Sequence, residues 1–141
     1  MKKKIYIAGP LFNDHERDFL EVIALTLENE GFNCFLPHRD LTGVEKSELK
    51  TTSMTQETKD KIFIADLTAL KGSDLTVALI TGWDIDSGTS AEIGYAFAHG
   101  KPVIGIDASE RRFRNLFVEG MITEKVQNIN AIIPAIERAF S

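Results

Sequence analysis

The sequence predicts an α/β fold: a doubly wound three-layer sandwich around a parallel sheet of four to five strands. Three observations predict it. Strand-like and helix-like segments alternate from end to end. Leu75-Thr76-Val77-Ala78-Leu79-Ile80 is a near-continuous apolar run, as in a strand buried on both faces of a parallel sheet. The punctuation also fits, because Gly31, Gly72 and Gly100 each follow a helical stretch and precede a strand.

Each element has a local reason. Lys4 to Ala8 reads as a first strand, stopped by Gly9-Pro10. Asn13 opens a helix with Glu16 at the capping-box position and Phe19, Leu20, Ile23 and Leu27 on one face. Phe32 to Leu36 forms a second strand closed by Pro37. Residues 38–52 are polar and aperiodic and read as a loop lying over a pocket. Ser53 with Gln56 is the next capping box, followed by Phe63, Leu67 and Leu70 at helical spacing. After the third strand, a loop from Thr81 to Gly88 leads into a helix from about Thr89 to His99. Pro102 precedes a fourth strand, Val103 to Ile106. The pattern then weakens to one helical turn within Ala108–Ile122 and a short fifth strand over Val126–Ile129. Asn130 caps a closing helix bearing Ile132, Ile133, Ile136 and Phe140. The fold type is flavodoxin-like or Rossmann-like, in which ligands bind outside the carboxyl ends of the strands. That places the functional loops after Ala8, Leu36 and Ile80.

Composition narrows the function. At 141 residues, with no repeat or linker, residues 1–141 read as one domain. A net charge of −5 argues against a nucleic-acid binder. The run Lys2-Lys3-Lys4 reads as a solvated chain end. The single Cys34 excludes an intrachain disulfide and reads as a small buried hydrophobe. Its neighbour His38 does not by spacing make a nucleophile pair. No signal-peptide or membrane-spanning pattern is present, so the expectation is a soluble, cytoplasmic protein with no membrane partner. His15, His38 and His99 are isolated, which predicts no metal site. Ala8-Gly9-Pro10-Leu11-Phe12 lacks the Gly-x-Gly-x-x-Gly of dinucleotide binders, and no cofactor is implied.

The densest chemistry lies in Asp84-Ile85-Asp86-Ser87-Gly88-Thr89-Ser90-Ala91-Glu92-Ile93-Gly94-Tyr95. Read as a first-turn residue, Glu92 sits at the positive end of the helix dipole, which favours its ionised form and suits a nucleophile. First-turn acids are also common simply because they stabilise helices. Asp86, in the preceding loop, faces the same crevice and is free to hold a ligand's polar edge. Gly88-Thr89 equally fits a tight turn. Tyr6 is either core or a hydroxyl that holds a neighbouring carboxylate. Gly9-Pro10 permits close backbone approach to a ligand. Asp66 is an acid inside an apolar helix end, Phe63-Ile64-Ala65-Asp66-Leu67. Exposure on the far face is the ordinary outcome for such a residue.

Three segments, Lys4-Ile-Tyr-Ile-Ala-Gly-Pro-Leu-Phe12, Ile64-Ala-Asp-Leu67 and Asp84-Ile-Asp-Ser-Gly-Thr-Ser-Ala-Glu-Ile-Gly-Tyr-Ala96 followed by Gly-Lys-Pro-Val103, together resemble the nucleoside 2-deoxyribosyltransferase family. The resemblance runs from Lys4 to about Ile122. It implies that Glu92 is the nucleophile, that Tyr6 orients it, and that Asp66 and Asp86 hold the nucleobase and help it leave. Gly9, Pro10, Phe12 and Gly88 then line the substrate site. It further implies nucleosides and free nucleobases as small-molecule partners, a role in deoxynucleoside salvage, and a homo-oligomer in which a neighbouring subunit's Asn-Leu-Met stretch completes the site. The chain departs from that stretch: Asn115-Leu116-Phe117 and Glu119-Gly120-Met121 each match only in part.

The leading expectation is therefore 2-deoxyribosyl transfer between bases through a glycosyl ester on Glu92. One alternative is hydrolysis of a nucleoside or deoxynucleoside 5′-monophosphate, and another is a non-catalytic nucleoside-binding module. The related monophosphate N-hydrolases carry a phosphate-binding serine where this chain has Asp86, and a carboxylate beside a phosphate is repelled. Asp86 thus favours a nucleoside unless an arginine such as Arg39 compensates. Gly88-Thr89-x-x-Glu92 also resembles the Gly-Thr-x-x-Glu of cytokinin-activating phosphoribohydrolases, but Ile85-Asp86-Ser87 is not their Gly-Gly phosphate loop.

Overall fold

The computed structural model describes residues 2–41, 53–107 and 114–141. Five parallel strands, β1 (Lys4–Ala8), β2 (Asn33–Phe35), β3 (Leu75–Leu79), β4 (Val103–Ile106) and β5 (Glu124–Val126), form one sheet in the order β2-β1-β3-β4-β5. Helices α1 (Asp14–Asn29), α2 (Pro37–Asp40), α3 (Gln56–Gly72), α4 (Ser87–Ala98), α5 (Leu116–Gly120) and α6 (Ile132–Phe140) connect and flank the strands. This is the expected doubly wound sandwich, with the flavodoxin-like strand order. The order reverses between β1 and β3, which pair through Ile5–Leu75, Tyr6–Thr76, Ile7–Val77 and Ala8–Ala78. A crevice therefore opens past their carboxyl ends.

Strand alternation divides the core. Ile5 and Ile7 of β1 point to one face and join Leu20, Ile23 and Leu27 of α1 and Ile132, Ala135 and Ile136 of α6. Tyr6 and Ala8 point to the other face, with Leu70 of α3, Ile93 and Ala96 of α4 and Val118 of α5. The odd–even phase of one strand thus sends the Tyr6 ring toward α4, where Glu92 resides.

Several boundaries differ from the sequence reading, each for a local reason. The Asn13 side chain does cap α1 by accepting from the Glu16 amide, but Glu16 accepts from the Phe12 amide, not from that of Asn13. Pro37 starts the short helix α2 where a loop was expected; the rest of that loop, residues 42–52, lies outside the described residues. Thr55, not Ser53, caps α3, its hydroxyl accepting from the Thr58 amide. β5 lies two residues earlier than expected, and Asn128, not Asn130, caps the closing segment. The Asn128 side chain accepts from the Ala131 amide and closes a short 3-10 turn over Ile129–Ala131 ahead of α6.

Candidate active site

Three helices and the loops after β1 and before α4 build a cleft of about 560 Å³ at the carboxyl end of the sheet. From α3 come Phe63, Asp66, Leu67 and Leu70, and from α4 come Gly88, Ala91, Glu92 and Tyr95. Both sets have the i, i+3, i+4, i+7 spacing of a single helical face. Gly9, Leu11 and Phe12 from the loop after β1, Pro37 of α2, and Asp86 and Ser87 at the start of α4 complete the lining.

Glu92 is positioned from beneath. Tyr6 is fully buried, its ring stacked on Phe35 with centroids 5.7 Å apart. Its hydroxyl donates a hydrogen bond to Glu92 Oε2. Burial, then the Glu92 and Asp66 charges, raise the Tyr6 phenol far above its ordinary value, so it stays protonated and remains a donor.

The electrostatics of Glu92 correct the sequence reading. The first helical residue of α4 is Ser87 and the cap is Asp86, whose Oδ2 accepts from the Thr89 amide and hydroxyl, each at 3.1 Å. Glu92 therefore lies in the second turn, beyond the free N–H groups and the strongest reach of the dipole. Burial instead pushes its carboxyl up to about 7; the Tyr6 hydrogen bond opposes the shift, and the Asp66 and Asp86 charges add to it. The site holds Glu92 between neutral and charged near neutral pH.

Asp66 is not on the far face of its helix. It is half-buried in the cleft wall, and burial raises its carboxyl to about 6. Its Oδ1 is buried without a hydrogen-bond partner among the described residues, a costly state that a ligand's donor would relieve. Asp86 likewise faces the cleft, but as a capping residue and not as a free loop acid.

Gly9 and Gly88 line the cleft, whereas Pro10 is buried and outside its lining. Gly9 is also required by the core: an added Cβ would stand 2.7 Å from Leu20 Cδ2 and 3.1 Å from Leu79 Cβ. The remaining expected residues do not reach the cleft within this chain. Asn115 caps α5, its Oδ1 accepting from the Phe117 and Val118 amides. Glu119 accepts from the Arg114 amide at 2.6 Å and from Lys125 Nζ at 2.5 Å. Met121 packs against Gly94 of α4. Arg39, considered above as a phosphate partner, is held by Glu28 and Asp40 away from this cleft.

Sequence reasoning missed the apolar wall. The sequence gives Phe63, Leu67 and Leu70 only a helical spacing; all three line the cleft, Phe63 at 66% exposed, while Leu70 is buried and also belongs to the core. The signal was the acid among them, since a core-facing stripe does not ordinarily carry Asp66.

Comparison with known proteins identifies the family. The family model for nucleoside 2-deoxyribosyltransferases matches residues 5–132, a span that includes Tyr6, Asp66, Asp86 and Glu92. The chain belongs to the nucleoside 2-deoxyribosyltransferase family. Among solved structures, a 2-deoxyribosyltransferase from Bacillus psychrosaccharolyticus is 25% identical, with a TM-score of 0.78 over 92% of this chain and 89% of that one. A conserved protein from Enterococcus faecalis is 24% identical, with a TM-score of 0.80 over 98% and 99%. The CMP N-glycosidase of Clostridium botulinum is more distant, 20% identical with a TM-score of 0.61 over 96% and 99%; these last two likenesses show the fold alone. No curated protein sequence matches the chain. Among the described residues of this family member, no helix is long and apolar enough to cross a membrane.

Proposed function

We propose that this chain moves 2-deoxyribose between nucleobases, with Glu92 as the nucleophile. The observation that carries the reading is the buried Tyr6 hydroxyl donating to Glu92 on the floor of a cleft that also presents Asp66 and Asp86. In the first half-reaction a Glu92 oxygen bonds to the anomeric carbon while the C–N bond breaks and its electron pair leaves with the base. Asp66 and Asp86 hold the base, and Asp66 supplies the proton that the departing ring nitrogen takes up. In the second, a nitrogen of the incoming base attacks the same carbon, the ester opens, and the incoming base's proton returns to Asp66. Tyr6 keeps one Glu92 oxygen hydrogen-bonded, fixing which oxygen attacks.

The lining includes three carboxylates and, among the described residues, no lysine, arginine or histidine. This favours nucleosides over nucleotides, because a 5′-phosphate would enter a cleft whose described lining is acidic and offers it no cation. Asn115, Glu119 and Met121, which do not line this chain's own cleft, would complete a neighbouring subunit's site in a cytoplasmic homo-oligomer.

The test incubates the purified protein with deoxyinosine, with and without adenine, beside a Glu92→Ala variant. Deoxyadenosine formed only with adenine and intact Glu92 supports base exchange. Hypoxanthine release that adenine does not divert identifies a hydrolase. An absence of turnover with deoxyinosine, thymidine and deoxynucleotides leaves a binding module.

A further inference from the structure

Resting on the nucleoside reading above, we propose that Phe63 is a base-stacking residue that, with Phe12 as the second ring, favours purines over pyrimidines. Phe63 is 66% and Phe12 77% exposed, and among the described large hydrophobic side chains left in solvent these two line the cleft. They arrive from separate elements, Phe12 from the loop after β1 and Phe63 from α3. Phe63 is three residues before Asp66 and four before Leu67, so ring and carboxylate share one face of the helix. Ile64, nearly as exposed at 59%, falls off that face and does not line the cleft. What marks Phe63 out is therefore not its exposure alone but its place in the cleft lining beside Asp66.

A leucine would serve equally if the wall only had to exclude water, as Leu67 does one turn further on. An exposed aromatic ring beside a hydrogen-bonding carboxylate instead offers the two contacts a nucleobase presents, a flat π-face and a polar edge. Purines have the larger face, so the gain from a ring at this position is greater for them.

The experiment compares Phe63→Ala, Phe63→Leu and Phe63→Tyr, measuring kcat and KM for deoxyadenosine and thymidine. Adenine affinity is measured by calorimetry on the same proteins. The alanine and leucine variants are expected to raise KM for deoxyadenosine at least tenfold with kcat within threefold. They should also lower the purine-to-pyrimidine ratio of kcat/KM and weaken adenine binding about tenfold, and tyrosine should restore all three. A leucine variant equal to the unaltered protein overturns the proposal by reducing Phe63 to apolar filler. A drop in kcat together with a smaller particle on size-exclusion chromatography overturns it by making Phe63 a subunit contact. If the unaltered protein turns over neither nucleoside, the parent reading fails instead, and calorimetry alone decides stacking: unchanged adenine affinity in Phe63→Ala overturns it.

Discussion

Replacing Glu92 by glutamine should make the protein more stable while removing its activity, and the gain should depend on pH. The Glu92 carboxyl titrates near 7 in the folded chain against an ordinary value of 4.5. A folded-state value above the unfolded one means that the native protein holds the proton more tightly. Below about pH 4.5 both states are protonated and the group has no effect; between 4.5 and 7 stability falls as pH rises, and above 7 the loss is complete. With ~1.4 kcal/mol per pH unit, the ionised side chain destabilises the fold by about 1 kcal/mol at pH 5 and about 3 kcal/mol at pH 8. Glutamine is nearly isosteric, keeps an oxygen to accept from the Tyr6 hydroxyl, and carries no charge. Urea denaturation of both proteins at pH 5 and pH 8 measures the effect. Glu92→Gln should lead by a margin that widens by about 2 kcal/mol between the two conditions. A margin independent of pH, or a glutamine variant less stable at pH 8, would refute the reasoning that burial holds this carboxylate in an unfavourable state.

Tyr6→Phe removes the donor that lowers the Glu92 titration, so the acid limb of kcat/KM should move from about 7 upward by ~1–2 pH units, with activity falling more at pH 6 than at pH 9. A uniform loss across pH would assign Tyr6 to packing alone. Gly9→Ala places a Cβ 2.7 Å from Leu20 and should cost ~1–3 kcal/mol in urea denaturation; an unchanged midpoint would show that Leu20 swings clear. Arg114→Met breaks an ion pair with Asp107 in which the arginine side chain is fully buried, and it cuts the guanidinium bond to the Gly82 carbonyl ahead of Asp86. It should cost ~3–5 kcal/mol, with an Asp107→Asn/Arg114→Met double variant recovering part of the loss in a mutant cycle.

The architecture was legible because alternation of period-two and period-3.6 apolar patterns is a property of the chain itself. The strand order was not, since pairing of β1 with both β2 and β3 depends on contacts distant in sequence. The grouping of the candidate residues was legible, and their electrostatics were not. Asp66, Asp86 and Glu92 do line one cleft, with Tyr6 buried beneath Glu92, but the Glu92 environment turned on where α4 begins. Asp86, Ser87 and Thr89 are all competent caps, and local chemistry does not choose among them. The choice of Asp86 moves Glu92 a turn deeper and exchanges a dipole-stabilised anion for a desolvated one. The orientation of α3 was hidden for a related reason. Phe63, Leu67 and Leu70 have the same spacing whether they face a core or a cleft, and only the neighbouring helix decides which. Asn115 and Glu119 read as ligand-facing polar residues, yet each first satisfies backbone amides of its own segment.

The features that burden the folded state are also those that would lower the reaction barrier. Asp66, Asp86 and Glu92 crowd one cleft, and the Asp66 and Asp86 charges raise the Glu92 titration. In the free protein this is unfavourable, and Tyr6 relieves only part of it. Cleavage of an N-glycosidic bond develops positive charge on the sugar as the base departs, so the proposed transition state brings a cation that the described lining does not supply. A neutral nucleoside in the ground state does not. Interactions present only as charge develops lower the barrier without tightening substrate binding, which is the condition for catalysis by differential binding. The same argument explains why an arginine in the cleft would be a poor improvement: by pairing with Glu92 beforehand it would stabilise the resting carboxylate and reduce its pull on the forming cation.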